Sequence, residues 1–236
     1  MVIIPARVDS YRFPKKILAK IDNTPMVIKT AQAVKNIDEV VIATDSYEVI
    51  DIAKRYNFKA ILTDKNHKSG TDRINEAASK LGLESDEIII NVQADEPFIE
   101  EDVVKKVYEL TNKNKDSKDI LINSAYKIID KKEAINPNIV KVVLDSCNMA
   151  LYFSRSLIPY PREEIENFKG HLGIYGFTKK SLEKFCSLKS APLEDIEKLE
   201  QLRALYHGYK IAMVEVESKS IGIDTVEDLE RALRIN

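Results

Sequence analysis

The sequence predicts a doubly wound α/β fold built on a mostly parallel β-sheet. Two observations carry this prediction. Short strand candidates alternate with amphipathic helix candidates through the first half of the chain, a pattern typical of βαβ units. These strand candidates, such as VIIPA and EIIIN, are continuous apolar runs rather than alternating ones, which indicates strands covered on both faces. The sheet should therefore lie between two layers of helices.

The first half of the chain supplies the predicted parallel strands and the helices between them. The strand candidates are VIIPA, DEVVIAT, KAILT and DEIIINV, and the helix candidates are TPMVIKTAQAVKN, SYEVIDIAKRYN and GTDRINEAASKLG. Thr24 and Pro25 predict the start of the first helix, with Thr24 as its cap and Pro25 at its first position. Each predicted helix is long enough to cover the sheet between successive strands.

After about residue 115 the strand candidates come closer together, and some are expected to be antiparallel. They are DILINSAYKI, NIVKVVLDS, MALYFSRSL, HLGIYGF and YKIAMVEV, followed or interrupted by the helix candidates TKKSLEKFCSL, PLEDIEKLEQLRALYHG and TVEDLERALRI. No internal repeat, low-complexity segment or linker divides the chain. We therefore predict one domain over residues 1–236, with an inserted lobe at roughly residues 115–190.

Composition excludes several classes of protein. Acidic and basic residues nearly balance to a net charge of −2, which argues against nucleic acid as the main partner. The two cysteines fit neither a disulfide framework nor a metal cluster, and no apolar run approaches the roughly 20 residues of a membrane span. No cationic segment precedes the first strand, so we expect no signal peptide and a cytoplasmic protein. The motifs of P-loop, dinucleotide-binding and serine-hydrolase enzymes are absent.

Three charged clusters follow predicted strands or precede a predicted helix. Cations crowd the opening stretch PARVDSYRFPKK, Asp95 and Glu96 follow a buried strand, and Asp224 precedes the last helix. Ligands of open α/β sheets bind beyond the carboxyl ends of the strands, and Mg²⁺ is commonly held by one or two carboxylates plus phosphates of the substrate. The pattern favours a polyanion bound with a divalent metal. Alternatively, the cations form a solvated loop, Asp95 caps a helix, and Asp224 assists a Thr225–Asp228 capping pair.

Several motifs are similar to those of a known family. PARVDSYRFPKK resembles the P-A-R-x-x-S-x-R-x-P-x-K signature of sugar cytidylyltransferases. The blocks SGTDR, NVQADEP, NPNIVKVVLD, ALYFSRSLIPY, HLGIYGF, PLEDIEKLEQLRAL and GIDTVEDLERA resemble the 3-deoxy-manno-octulosonate (Kdo) cytidylyltransferase family over nearly the whole chain. The resemblance implies a sheet of the nucleotide-diphospho-sugar transferase type. It also implies transfer of a cytidylyl group from CTP to Kdo, with release of pyrophosphate, for lipopolysaccharide biosynthesis.

The same resemblance implies Mg²⁺, a homodimer and a set of site residues. The positions implied to bind nucleotide are Arg7, Arg12, Lys16, Ser69, Gly70, Arg73 and Gln93. Those implied to bind the sugar acid are Gln93, Arg155, Arg162, His171, Tyr175, Glu200 and Gln201. The implied metal carboxylates are Asp95 and Asp224, which act with Arg7 and Lys16 as the catalytic set.

The sequence departs from the family pattern at two positions. Ala94 stands where the family usually has glycine, and Lys15 replaces a usual glycine before the signature Lys16. Glycine allows a positive φ or a close approach of backbone to ligand, so Ala94 is expected to loosen contact with the nucleotide. For His171, the resemblance implies contact with sugar hydroxyls, while general base catalysis and a structural hydrogen bond are the alternatives.

Other functions stay open at the level of sequence. The nearest alternatives are cytidylyltransferases for another acid sugar, such as 8-amino-Kdo or sialic acid. A glycosyltransferase that uses a preformed nucleotide sugar would share the sheet and an aspartate-containing metal motif but release free nucleotide. A non-catalytic nucleotide sensor would bind CTP without turnover.

Overall fold

A computed structural model describes residues 1–9 and 13–235, and it confirms the predicted α/β class. The strands are β1 (Val2–Ala6), β2 (Lys20–Ile21), β3 (Thr24–Pro25), β4 (Val40–Thr44), β5 (Lys59–Leu62), β6 (Ile88–Asn91), β7 (Ile120–Asp130), β8 (Lys141–Leu144), β9 (Ala150–Ser154), β10 (Asn167–Thr178) and β11 (Lys210–Glu215). The helices are α1 (Met26–Val34), α2 (Tyr47–Arg55), α3 (Gly70–Lys80), α4 (Glu101–Asn114), α5 (Lys131–Ile135), α6 (Lys179–Ser187), α7 (Pro192–Glu197), α8 (Leu202–Tyr206) and α9 (Val226–Ile235), with a 3₁₀ helix at Lys16–Leu18.

The main sheet has nine strands and is mixed. Its central path runs β11-β7-β10-β6-β1-β4-β5, and β8 and β9 form a hairpin attached to β10. Strands β6, β1, β4 and β5 are parallel, as predicted for the first half of the chain. Strand β10 lies antiparallel between β6 and β7, and β11 is parallel to β7. The carboxyl ends of β1 and β6 therefore meet at one edge of the sheet.

Helices cover both faces of this sheet and form two apolar cores. On one face, α1, α2 and α4 contribute buried residues such as Val27, Val49 and Val103. On the other face, α3, α6 and α8 contribute buried residues that include Ile74 and Leu182. Because both faces are covered there, the parallel strands β1, β4 and β6 are buried at every position, as their continuous apolar runs in the sequence indicate.

The segment predicted as an inserted lobe takes part in the main sheet. Its strands β7 and β10 pair over most of their length, while β8 and β9 extend beside β10. Lys141 of β8 is fully buried, and its ammonium donates to the backbone carbonyls of Asn136, Ile139 and Arg155. The boundary of the lobe at residues 115–190 stays a prediction.

The predicted start of the first helix is wrong. Thr24 and Pro25 form β3, which pairs with β2, and α1 begins at Met26. The chain reverses at Asp22 and Asn23, whose φ angles are 48° and 64°. Two consecutive positive φ angles are typical of a tight hairpin turn, in which Asn and Asp are well tolerated. The turn at Asp22 and Asn23 therefore places Thr24 and Pro25 in a strand and not in the first turn of the helix.

The prediction of a single helix over residues 192–208 is also wrong, because the structure has two short helices there. Lys198 adopts a left-handed conformation with φ 54°, which ends α7, and α8 begins at Leu202. The carboxylate of Glu197 accepts hydrogen bonds from the Ser154 hydroxyl and the Arg155 backbone amide, while Leu199 is buried in the core. These tertiary contacts break the helix.

Among the residues described, none of the helices is both long and apolar enough to cross a membrane.

Candidate active site

A cleft of about 360 Å³ lies at the carboxyl ends of β1 and β6. It is lined by residues from five separate stretches of the chain. They are Pro5, Arg7, Asp9, Lys16, Ile17, His67, Lys68, Ser69, Gly70, Arg73, Gln93, Ala94, Asp95 and Asp224. The cleft therefore brings together both implied metal carboxylates and every implied nucleotide-binding residue except Arg12, which lies outside the described residues.

Lys16 bridges the two acidic residues at the centre of this cleft. Its Nζ lies 2.6 Å from Oδ2 of Asp95 and 2.9 Å from Oδ1 of Asp224. Burial disfavours the charge on this ammonium, but the two carboxylates outweigh that effect and raise the pKa of Lys16. Lys16 is therefore cationic at neutral pH.

Local structure fixes the two aspartates in this arrangement. Asp95 follows β6, and its backbone carbonyl accepts a hydrogen bond of 2.9 Å from the amide of Ile223. Thr225 and Asp228 form the reciprocal capping pair that the sequence suggests, with hydrogen bonds of 2.9 and 3.1 Å. The cap at the start of α9 thus uses the side chains of Thr225 and Asp228, and the Asp224 carboxylate faces the cleft.

The residues of this cleft fit a magnesium ion that is shared with a substrate. In residues 1–9 and 13–235 no group of three or more His, Cys, Asp or Glu side chains is arranged to hold a metal. Two carboxylates converge on one ammonium nitrogen, so both can reach a single cation. Mg²⁺ typically takes one or two carboxylates and completes its shell with phosphate oxygens and water. The donor set therefore suits Mg²⁺ bound together with a polyphosphate.

The first turn of α3 forms a second wall of the cleft. Ser69 caps this helix by accepting a hydrogen bond of 3.1 Å from the amide of Asp72. A Cβ at Gly70 would lie 3.1 Å from the Pro5 side chain and 3.5 Å from Oε1 of Gln93, so glycine permits the close approach of α3 to these residues. A helix N-terminus that opens into a cleft favours anions through its free amides and its dipole.

Arg73 lies behind this wall and is almost fully buried. Its guanidinium donates to Asp45 Oδ2 at 2.8 Å and to Thr63 Oγ1 at 2.6 Å. These contacts tie α3 to the ends of β4 and β5. Arg7, by contrast, is an exposed residue directly after β1. The two arginines thus line the same cleft in different environments, one fixed and one facing solvent.

Three of the residues implied to bind the sugar acid form one hydrogen-bonded network beside the cleft. Nε2 of His171 lies 2.9 Å from Ser124 Oγ, and Nδ1 lies 3.5 Å from the Gln201 amide nitrogen. The Tyr175 hydroxyl donates to Gln201 Oε1 at 3.2 Å. Because Ser124 also donates to the carbonyl of Ile174, His171 Nε2–H donates and Nδ1 accepts.

This network is built for neutral groups. Burial lowers the pKa of His171 to about 3, because a charged ring would lose water without gaining a carboxylate partner. Burial likewise raises the pKa of Tyr175 well above its ordinary value. His171 and Tyr175 are therefore both uncharged at neutral pH, and they offer fixed hydrogen-bond donors and acceptors.

The remaining implied sugar ligands have other surroundings. Glu200 accepts a hydrogen bond from the hydroxyl of Thr71, on the first turn of α3, and burial raises the pKa of its carboxyl group. Arg155 donates through Nε to the carbonyl of Glu197 at 2.8 Å and through a terminal nitrogen to that of Pro137 at 3.1 Å. Arg162 is exposed on the segment between β9 and β10. These three residues do not line the cleft.

The two departures from the family pattern have different structural settings. Ala94 is not among the residues with positive φ, and its side chain is buried in the core with 4% exposure. Lys15 does adopt a left-handed conformation, with φ 55°, which explains why glycine suits that position. The conformational demand for glycine thus lies at position 15 in this chain and not at position 94.

The cleft also contains residues that sequence reasoning missed. Asp9, His67 and Lys68 line it, and Nε2 of His67 lies 2.5 Å from a carboxylate oxygen of Glu76 on α3. The three histidines of the chain are scattered along the sequence, which hid His67 as a candidate. Its position two residues before Ser69 was the signal that could have placed it in the site.

The fold and the cleft define a nucleotidyltransferase-like α/β protein, in which facing carboxylates and cations meet at the carboxyl edge of a doubly wound sheet. A family model described as cytidylyltransferase matches residues 1–211. The chain belongs to this cytidylyltransferase family.

Individual relatives resemble the chain over its full length. It is 64% identical over 231 residues to 3-deoxy-manno-octulosonate cytidylyltransferase of a Nitratiruptor species, and the match covers 98% of this chain and 97% of the relative. It is 50% identical over 240 residues to the protein of the same name from Wolinella succinogenes, covering 100% and 98%. A solved structure of CMP:2-keto-3-deoxy-manno-octonic acid synthetase complexed with CTP superposes with a TM-score of 0.87 at 36% identity, covering 98% of this chain and 95% of that one.

Proposed function

We propose that this protein transfers the cytidylyl group of CTP to the anomeric hydroxyl of Kdo, giving CMP-Kdo and pyrophosphate for lipopolysaccharide biosynthesis. The names of the full-length relatives support this substrate pair, and the solved neighbour was complexed with CTP. The observation that carries the chemistry is the convergence of Asp95 and Asp224 on Lys16 inside one cleft.

The reaction joins two anions, so the barrier that the protein can lower is mainly electrostatic. The sugar hydroxyl loses its proton to water and its oxygen attacks the α-phosphorus of CTP in line, the bond from that phosphorus to the bridging oxygen breaks, and pyrophosphate leaves with the electron pair. Transfers of this kind depend on positioning and charge stabilisation rather than on a covalent enzyme intermediate. Arg7 and Lys16 supply positive charge at the cleft, and the first turn of α3 offers backbone amides to the phosphates.

We include Mg²⁺ in this proposal as the cofactor, with Asp95 and Asp224 as its protein ligands. When bound, Mg²⁺ neutralises phosphate charge and lowers the pKa of a coordinated hydroxyl. With the ion held there, the positive charge of Lys16 would no longer be required between the two carboxylates. Its ammonium would then be available to the triphosphate, which is the role implied by the family signature.

The sugar acid is proposed to bind between the cleft and the His171 network. Gln93 lines the cleft and also a smaller cavity that is lined by Leu172, the neighbour of His171 in the chain, so it borders both regions. His171 acts there as a neutral hydrogen-bonding group, because its low pKa leaves no proton equilibrium near pH 7 for general base catalysis. Arg155 and Arg162 would need to move toward the cleft to meet a carboxylate.

We further propose that the enzyme is a cytoplasmic homodimer of single-domain subunits. The synthesis consumes CTP, a cytoplasmic nucleotide, and the segment beside β10 supplies the surface for dimer contact. Exposed apolar side chains in that part of the chain, Ile128, Ile135, Leu151 and Tyr160, support this assignment. Sedimentation of the purified protein tests it, with a single species of twice the 26.8 kDa chain mass as the expected result.

A substrate panel tests the proposed activity. The protein is mixed with CTP, Mg²⁺ and Kdo, and in parallel with 8-amino-Kdo or sialic acid, and pyrophosphate release is measured. We expect rapid release with Kdo and little with sialic acid. Preference for 8-amino-Kdo would reassign the sugar, release of free CMP from a preformed nucleotide sugar would indicate a glycosyltransferase, and CTP binding without turnover would indicate a sensor.

A further inference from the structure

The chain between β11 and α9 has no regular secondary structure, yet it carries Asp224 to the cleft. We call residues 216–223 the strap. It begins at Val216, whose amide donates to the carbonyl of Tyr126 on β7, and ends at Ile223, whose amide donates to the carbonyl of Asp95. Between these two backbone contacts no helix or sheet ladder fixes the strap, and hydrogen bonds to side chains hold it.

Glu100 makes two of these contacts. One carboxylate oxygen accepts from the Ser218 hydroxyl and the other from the Lys219 backbone amide, both at 2.7 Å. Glu100 itself is fixed, because it is the residue that immediately precedes α4 and the amide of Val103 donates to its carbonyl. A carboxylate that accepts two short hydrogen bonds is a strong and directional anchor.

Two further anchors hold the strap on its inner side. Glu96 Oε2 accepts a hydrogen bond of 2.6 Å from Ser220 Oγ, and Ser220 is buried. Lys127 on β7 donates to the carbonyls of Ser218 and Ser220 at 3.1 and 3.4 Å. A Cβ at Gly222 would lie 2.9 Å from Glu96 Oε1, so the strap also passes close to this carboxylate.

We propose that Glu100 is a positioning residue that acts through Ser218 and Lys219 to hold Asp224 opposite Asp95. The inference rests on the proposed function in so far as the two aspartates are assigned to the metal. Both acidic anchors, Glu96 and Glu100, follow Asp95 in the chain. The segment that carries the first metal carboxylate therefore also holds the strap that carries the second, and the spacing of the two carboxylates is set by one local unit.

A simpler role for Glu100 is electrostatic, since an acidic residue at the N-terminus of a helix stabilises the helix dipole. A substitution at Glu101 distinguishes these two roles of Glu100. Glu101 adds the same charge at the same helix end, but its carboxylate accepts a hydrogen bond from the side chain of Asn36, which is not part of the strap. A Glu101→Gln variant is therefore the matched control for Glu100→Gln.

The experiment measures Mn²⁺ binding in the presence of CTP by electron paramagnetic resonance, on the full chain. We expect Glu100→Gln to weaken Mn²⁺ about 10-fold, the usual cost of losing a group that orients a metal ligand. Glu101→Gln should bind Mn²⁺ like the wild type. Ser218→Ala should weaken Mn²⁺ less than Glu100→Gln does, and the double variant should be no weaker than Glu100→Gln, because both changes break the same contact.

Three outcomes would overturn the inference: equal Mn²⁺ affinity in Glu100→Gln and Glu101→Gln, strictly additive effects of Glu100→Gln and Ser218→Ala, or no Mn²⁺ binding by the wild type with CTP. Ser218→Ala removes a single hydroxyl and serves if Glu100→Gln does not fold, as judged by circular dichroism. Pyrophosphate release by the wild type is measured separately. A wild type that fails to make CMP-Kdo but shows the Mn²⁺ difference refutes the proposed function and leaves the positioning role intact.

Discussion

Asp95 and Asp224 are far apart in the sequence, yet each directs a carboxylate oxygen at the same nitrogen of Lys16. Two carboxylates this close repel each other unless a cation lies between them. The Lys16 ammonium provides that cation in the free protein, and a divalent metal would provide it in the working enzyme.

Asp95→Asn is expected to remove most of the turnover while the fold remains intact. The change keeps the size of the side chain and lets it accept a hydrogen bond from Lys16, but it removes a charge proposed to hold the metal. Metal stabilisation of a transition state is worth several kcal/mol, so the rate of pyrophosphate release should fall at least about 100-fold. Asp102→Asn, at an exposed carboxylate on α4, is the control. Wild-type turnover in Asp95→Asn would refute the metal assignment.

Lys16→Ala should reduce activity far more than Lys15→Ala. Lys16 is buried and contacts both aspartates, whereas Lys15 is exposed and makes a 3.5 Å ion pair with Glu48, a contact worth at most about 1 kcal/mol. Steady-state kinetics of the two variants will show the order. If Lys15→Ala is the more damaging, the signature role belongs to Lys15.

The buried His171 should make the protein less stable in acid. Its pKa is lowered from 6.5 to about 3 by burial, so between these values the unfolded chain binds a proton that the folded chain does not. The free energy of unfolding therefore falls as the pH drops below about 6.5, by up to about 1.4 kcal/mol per pH unit.

A His171→Gln variant lacks this proton uptake on unfolding. Urea unfolding at about pH 7 and about pH 5 should show a steeper loss of stability in the wild type than in the variant. The acid limb of the pH profile of kcat should be unchanged by the substitution. Disappearance of that limb would restore His171 as a general base.

Ala94→Gly should lower stability without improving the binding of CTP. Ala94 has an ordinary backbone conformation and a buried methyl group, so glycine would add chain entropy to the unfolded state and remove apolar contact. The expected loss is about 1–2 kcal/mol in the free energy of unfolding. The KM for CTP should stay at the wild-type value. A clear fall in that KM would show that the alanine methyl group restricts the nucleotide.

The parallel half of the fold could be predicted because its signals are local. The apolar runs of β1, β4 and β6 mark strands that are buried on both faces, and the intervening helices have clear apolar stripes. The central position of β10 could not be predicted. HLGIYGF reads as a strand, but its pairing of Tyr175 with Asn91 of β6 depends on contacts between distant parts of the chain.

The geometry of the site also depends on contacts between distant parts of the chain, so the sequence could not predict all of it. The resemblance indicated that Asp95 and Asp224 act together, and charge patterns indicated that cations belong with them. Neither showed that Lys16 lies between the two carboxylates, because that contact joins three separate parts of the chain. The break at Lys198 was missed for a similar reason, since a regular helical pattern runs through it and only tertiary contacts with Ser154 and Arg155 interrupt the helix.

The hydrogen bond between Thr71 and Glu200 couples the first turn of α3 to the chain beside the His171 network. Thr71 belongs to the first turn of α3, which is proposed to bind the triphosphate, and Glu200 immediately precedes Gln201 of the His171 network. If that turn moves, either the hydrogen bond breaks or Glu200 moves with it. A ligand that displaced this turn would therefore also disturb Glu200 beside the His171 network, and an inhibitor bound at α3 alone would change how that network receives a second molecule.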